Sequence, residues 1–199
     1  MRGRPSSGYS LAELAFVMGL IVTLTGIAIP QTLATLDDLR AVGATRYIST
    51  RLQRARAEAV MRSANVAMQF VPVDDHGGGY AFAVYVDGNR NGIRRRDIAS
   101  GIDRRLGAVE RLGDSFSGVE FGTIPSLPPV DAAAGSPGDD PIRLGPSGLA
   151  TFTALGTATP GSLYIRSRRG TQYAVRIFGT TGKTRMLRFN AGTRQWKPL

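Results

Sequence analysis

The chain has 199 residues, no cysteine, one histidine and a formal charge of +10. That length suits one domain with a sizeable core, and the lack of cysteine excludes disulfides, thiol catalysis and thiolate metal sites. Lys183 and Lys197 are the only lysines, so the positive charge is carried by arginine. It fits either an anionic partner or an arginine-rich composition.

The first element is an apolar run. Residues 14–29 carry no charge, and extending the span to Tyr9 and Leu36 adds only Glu13. About 20 apolar residues cross a bilayer as a helix, so the run is long enough. Arg2 and Arg4 precede it, which holds that end in the cytoplasm. An ordinary secretory signal is cut after its apolar core. Here the small residue suited to cleavage, Gly8, stands before the core, so the apolar helix is expected to be retained.

Gly8-Tyr9-Ser10-Leu11-Ala12-Glu13 resembles the leader site of type IV pilins and pseudopilins, with Tyr9 in place of the usual phenylalanine. The resemblance implies that a prepilin peptidase cuts between Gly8 and Tyr9 and methylates the new amine of Tyr9. It implies a leader over 1–8 and a transmembrane and filament-core helix over 9–36. Glu13 then pairs with the amino terminus of a subunit during assembly, and Pro30 falls where many pilins carry a helix-kinking proline. A lone carboxylate inside a bilayer costs about 2.5–3.5 kcal/mol on insertion scales, which is why Glu13 calls for a partner. The implied location is a bacterial inner membrane, crossed once and contacting its lipid, with the remainder periplasmic.

Past Asp37 and Asp38, read as the exit into water, Ala41, Ala44, Ile48, Leu52, Ala55 and Ala59 recur at helical spacing. No proline interrupts residues 31–71. One helix from Tyr9 to about Ser63 is therefore expected, its amphipathic half over 37–64, with a bend at Gly26 and Pro30. Residues 52–70, LQRARAEAVMRSANVAMQF, resemble the end of this helix in the GspH/FimT family of type IV pilin-like proteins. That implies a β-rich domain over 65–199 and an α+β, pilin-like fold: a long N-terminal helix packed on an antiparallel β-domain.

Strands are expected at 65–71 and 80–86, joined through Gly77-Gly78-Gly79. Asp87, Asn89, Asn91 and Gly92 match the first half of an EF-hand loop, but Ile98 takes the place of its twelfth-position glutamate. With Arg90, Arg94, Arg95 and Arg96 alongside, the stretch reads as an Asx turn without a metal. Residues 123–141, rich in Pro, Ala, Gly and Asp, read as a loop or insertion. Short strands follow at 142–144, 149–155, 162–167, 172–178 and 184–189, and the Pro146-Ser147-Gly148 turn between the first two also resembles GspH/FimT domains.

No catalytic constellation is evident. His76 lies in a Gly/Asp-rich loop, and Gly182-Lys183-Thr184 lacks the glycine five residues earlier that a P-loop needs, Ile177 standing there. No enzyme activity, cofactor or metal is expected. From Ile142 to Leu199 there is no acidic residue. Gly182-Lys183-Thr184-Arg185 resembles the Gly-Arg-x-Arg element of FimT-type minor pilins, with Lys183 replacing the first arginine. That likeness implies double-stranded DNA binding by Lys183, Arg185 and Arg188 with Arg166, Arg168 and Arg169, as in natural transformation, Tyr164, Tyr173 and Trp196 adding base stacking. The same basic face also suits acidic subunits or lipid headgroups. The reading placed first is a minor pseudopilin or pilin subunit, partnered by other minor pseudopilins or pilins, in a type II secretion pseudopilus or related type IV pilus that supports protein secretion. The alternative is the DNA-binding minor pilin.

Overall fold

The computed structural model describes residues 8, 10–73, 79–131 and 135–199. Tyr9, Arg2, Arg4, His76, Gly77 and Gly78 lie outside them. The chain divides into two compact units, residues 1–36 and 37–199.

In the first unit α1 (Leu11–Arg62) begins. Ser10 caps it: its hydroxyl accepts the Glu13 amide at 3.1 Å, and its carbonyl takes the Leu14 amide at 3.1 Å. Ser10 and Glu13 thus stand at capping-box spacing, and the Glu13 carboxylate is well placed for the positive helix end. The helix runs through Pro30. Leu14, Phe16, Ile21, Leu24 and Ile27 are all exposed, so the segment is apolar on every side. Its threonine hydroxyls are satisfied within the helix, Thr23 on Gly19 O at 2.8 Å and Thr32 on Ala28 O at 2.9 Å. Internally satisfied polar groups are what a helix in hydrocarbon requires.

In the second unit the rest of α1 buries the expected stripe, Ala41, Ala44, Ile48, Leu52, Ala55 and Ala59. Four of the six are alanine, which lets the sheets approach the helix axis closely. Two antiparallel sheets pack around it. One has β3 (Arg104–Arg111), β2 (Tyr80–Val86), β1 (Val66–Pro72) and β6 (Leu149–Phe152), in that order. The other runs β10 (Gln195–Pro198), β9 (Thr184–Asn190), β8 (Gln172–Ile177), β7 (Gly161–Ser167), β4 (Val119–Phe121), with β5 (Ile142–Arg143) also on β7. Short helices α2 (Arg95–Ala99) and α3 (Leu112–Ser115) flank β3. Met68, Phe70, Phe82 and Val84 from the first sheet meet Leu163, Ile165, Tyr173 and Val175 from the second in one core with the helix stripe. Strand alternation sends these side chains inward and their neighbours outward.

The strands β3, β4 and β10 were not among those expected from the sequence; β4 is a short alternating segment with Val119 and Phe121 buried around Glu120. Strands β3 and β10 are edge strands and largely exposed, so neither needs an apolar alternation, and charge on an edge discourages pairing with another chain. The loop after β4 differs from expectation. Ile124, Leu127 and Val130 cover the outer face of the second sheet over Tyr164, Ala174, Leu187 and Phe189, forming a second core. Gln172, 1% exposed, fixes the loop by accepting the Ile124 amide and donating to Gly122 O.

Candidate functional site

The basic surface is built on the turn between β8 and β9. Alternation and anchoring decide which side chains it presents. Gly182 sits at φ +60°, and a Cβ there would lie 2.4 Å from Gly156 O and 2.9 Å from the Arg56 side chain, so only glycine fits. Its carbonyl accepts Gln53 Nε2 at 3.1 Å, and Thr184 Oγ1 meets Ser49 Oγ at 2.7 Å. Both anchors, Ser49 and Gln53, come from α1. With Gly182 and Thr184 pinned inward, Lys183 and Arg185 project into solvent. Neither has an ion pair among the described residues.

Register then adds residues that the sequence reading had not placed in the site. Arg185 stands opposite Arg176, and Arg176 opposite Ser162, which faces Arg143. Arg143, Arg176 and Arg185 therefore share one cross-strand row. Arg176 reaches Asp131 at 2.5 Å and lies 5.0 Å from the Phe178 ring. The period-2 alternation of β8 and β9 was the available signal, but it needed the pairing register to become a row.

The remaining candidates are dispersed. Arg188 lies on the opposite face of β9 and pairs with Asp38 at 3.4 Å. Arg169 pairs with Asp37 at 3.4 Å. Arg166 is bound to Glu120 and to Thr123 O. Arg168 is exposed and lies against Gly118. Base stacking by Tyr164 and Tyr173 is corrected: they are 2% and 0% exposed, and a buried ring offers no face to a base. Trp196 packs on Phe189 and donates Nε1–H to Pro128 O at 3.0 Å.

Asp37 and Asp38, read from the sequence as solvated markers, take part in the packing of the second unit. Asp38 Oδ1 accepts the Tyr173 hydroxyl at 2.5 Å, so they clamp α1 to the second sheet through Tyr173, Arg188 and Arg169. A reverse clamp holds the first sheet, where Glu110 of β3 is bound by Tyr47 and Arg51 of α1. Both phenols have pKa values pushed up, Tyr47 first by its bond to Glu110 and Tyr173 first by burial.

Of the leader and assembly residues, Gly8 is exposed without regular structure, Glu13 is exposed in the first turn of α1, and Pro30 is exposed within it. Glu13 and Pro30 share α1, and Gly8 precedes it. Among the described residues α1 is long and apolar enough to cross a membrane, compatible with a single-pass anchor.

A family model, type II transport protein GspH, matches residues 44–182. The chain is also 38% identical over 90 residues to the pilin-like protein PilA1 of Thermus thermophilus, a match covering 45% of this chain and 53% of the relative. The chain thus spans about half the length of that curated relative. No solved structure matches. The matched region runs from the buried stripe of α1 through the first sheet and through β4, β5, β7 and β8 of the second to the turn at Gly182, and on that extent the chain belongs to the GspH family of pilin-like subunits.

Proposed function

We propose that this chain is a minor subunit of a type II secretion pseudopilus or a related type IV pilus, processed by prepilin peptidase between Gly8 and Tyr9 and methylated at Tyr9. Residues 9–36 hold it in the inner membrane and then in the filament core, with residues 37–64 continuing the helix and the β-rich domain, residues 65–199, in the periplasm. The observation carrying this reading is the first half of α1, exposed and apolar on every side, with Glu13 its sole carboxylate. So wide an apolar surface calls for lipid or other apolar helices. A lone carboxylate in that environment calls for a cation, and the amine of a processed neighbouring subunit would supply it.

The test is intact mass of the membrane form, together with Glu13→Ala. A mature chain beginning at Tyr9 plus one methyl is expected. Glu13→Ala should insert normally but lose cross-linking to other minor subunits. A chain beginning after residue 30, or undiminished cross-linking in the variant, would overturn the proposal.

DNA contact is a second reading, favoured by Lys183 and Arg185, which have no ion pair among the described residues, standing at a pinned turn beside Arg176. Such cations would engage phosphates without reading sequence. Full-length protein in detergent should bind random duplex DNA with log affinity falling against log salt, about −0.9 per phosphate neutralised. Lys183→Gln with Arg185→Gln should flatten that slope by nearly two such steps, while Arg188→Gln should lower stability more than affinity. An unchanged slope in the double variant counts against DNA contact and leaves this face to subunits or headgroups.

A further inference from the structure

The outer face of the second sheet carries an open cleft of about 580 Å³, within the size range of small-molecule sites. Its floor follows from strand register. Arg143 of β5 stands opposite Ser162 of β7, and Ser162 stands opposite Arg176 of β8. Directly paired residues point to one face. That face is the outward one, because the neighbouring Ile142, Leu163, Val175 and Ile177 lie in the main core. Gly161 lets β5 and β7 come together, since a Cβ there would lie 2.1 Å from Arg143 O. Both arginines line the cleft, one on each side of Ser162. Ser162 is 6% exposed and lines it too, and its hydroxyl has no hydrogen-bond partner among the described residues. A buried hydroxyl of this kind, placed between two cations, calls for a partner.

We propose that this cleft binds one phosphate monoester, its oxygens held by Arg143, the Ser162 hydroxyl and Arg176. The inference stands apart from both the filament role and DNA contact. A phosphate monoester carries about −1.5 to −2 charge at neutral pH and three strong acceptor oxygens. Three donor groups from three adjacent strands suit that tetrahedral set, and guanidinium forks suit phosphate oxygens. A bare phosphate would leave most of the cleft unfilled. Phe178 and Pro160 border the remainder, so the ester is expected to carry an apolar or aromatic group.

The cleft already holds one carboxylate. Asp131, in the loop over the second core, accepts Arg176 Nη2 at 2.5 Å. The two side chains are 31% and 41% exposed, and so exposed a pair contributes little and yields to a stronger anion. The Phe178 ring, 5.0 Å from the Arg176 guanidinium, holds that group in place when the carboxylate leaves. Asp140 is the other acid of the lining, and its Oδ1 accepts the Ile142 amide at 3.0 Å, which sets the turn into β5. Two carboxylates against two guanidinium groups leave the cleft nearly neutral. A singly charged anion therefore gains little there, whereas a dianion that dislodges Asp131 gains both arginines. Asp131 is in effect a competitor for the ligand, carried by the chain itself.

The test is calorimetric titration of full-length protein in detergent with phenyl phosphate to about 10 mM, a range that reaches millimolar binding. Benzoate and random duplex DNA are run in parallel. One phenyl phosphate per chain is expected, with much weaker benzoate binding. Arg176→Gln should raise the phenyl phosphate Kd about tenfold or more, and Ser162→Ala about threefold or more, as losses of charge-assisted hydrogen bonds. Asp131→Asn should lower it about threefold, the size of a half-exposed pair that no longer competes. Ser162→Ala removes only a hydroxyl and should fold even if Arg176→Gln does not. DNA phosphates are singly charged diesters, so duplex DNA should not displace phenyl phosphate; displacement would give the cleft to nucleic acid and overturn the monoester assignment. Absence of phenyl phosphate binding by folded wild-type protein, equal binding of benzoate, a Kd unmoved by Ser162→Ala, or weaker binding in Asp131→Asn would each overturn the proposal as well.

Discussion

Leu52→Ala is expected to lower the unfolding free energy by about 2–5 kcal/mol, while Leu24→Ala, on the same helix, should change it by no more than about 0.5 kcal/mol. Leu52 is 0% exposed in the core between the two sheets, and Leu24 is 59% exposed. Removing the Leu52 side chain forfeits its transfer energy and leaves a cavity, which alanine neighbours at 55 and 59 cannot fill. At Leu24 lipid or detergent closes over the smaller side chain, so no cavity survives. Denaturant unfolding of full-length protein in detergent, followed by far-UV circular dichroism, separates the cases. Equal losses at both positions would contradict the assignment of the β-domain core to the second half of the helix alone.

Tyr173→Phe should cost about 1.5–3 kcal/mol, the range for a hydrogen bond to a charged group. The phenyl ring still fills the core, but Asp38 loses its 2.5 Å donor and, among the described residues, keeps only the Arg188 contact at 3.4 Å. Asp38→Asn, which keeps an acceptor, should cost less. The pH dependence carries a further signature. Burial, then the hydrogen bond to Asp38 and its charge, push the Tyr173 pKa well above the ordinary value of 10, against the opposing charge of Arg188. The folded state therefore holds the phenolic proton after the unfolded chain has released it. Stability from this group is complete below about pH 10 and falls as pH rises from there toward the folded pKa. Urea titrations at pH 7, 10 and 11 should show a steeper loss for wild type than for Tyr173→Phe above pH 10. Parallel losses would show that Tyr173 does not resist ionisation.

Much of this protein was set by local sequence. The apolar run with Glu13 near its start, the alanine and leucine spacing after Asp37, and the strands at 80–86, 162–167 and 172–178 follow from periods of 3.6 and 2 that each segment carries on its own. The Asx turn at Asp87 was equally legible, since its bonds span only five residues. Tertiary structure decided what depends on partners distant in the chain. The arginine-rich β3 is a strand because the exposed edge of β2 pairs with it, not because of its own alternation. The loop over 123–131 covers a second core because Tyr164, Leu187 and Phe189 face it from the sheet. Six basic residues read as one surface were divided by strand alternation, with Arg188 turned to the helix side while Arg185 joined Arg176 on the other. Asp37 and Asp38 looked like solvated markers until the sheet brought Tyr173, Arg188 and Arg169 to them. Sequence states which face a side chain takes relative to its neighbours, but only the register of paired strands states what that face meets.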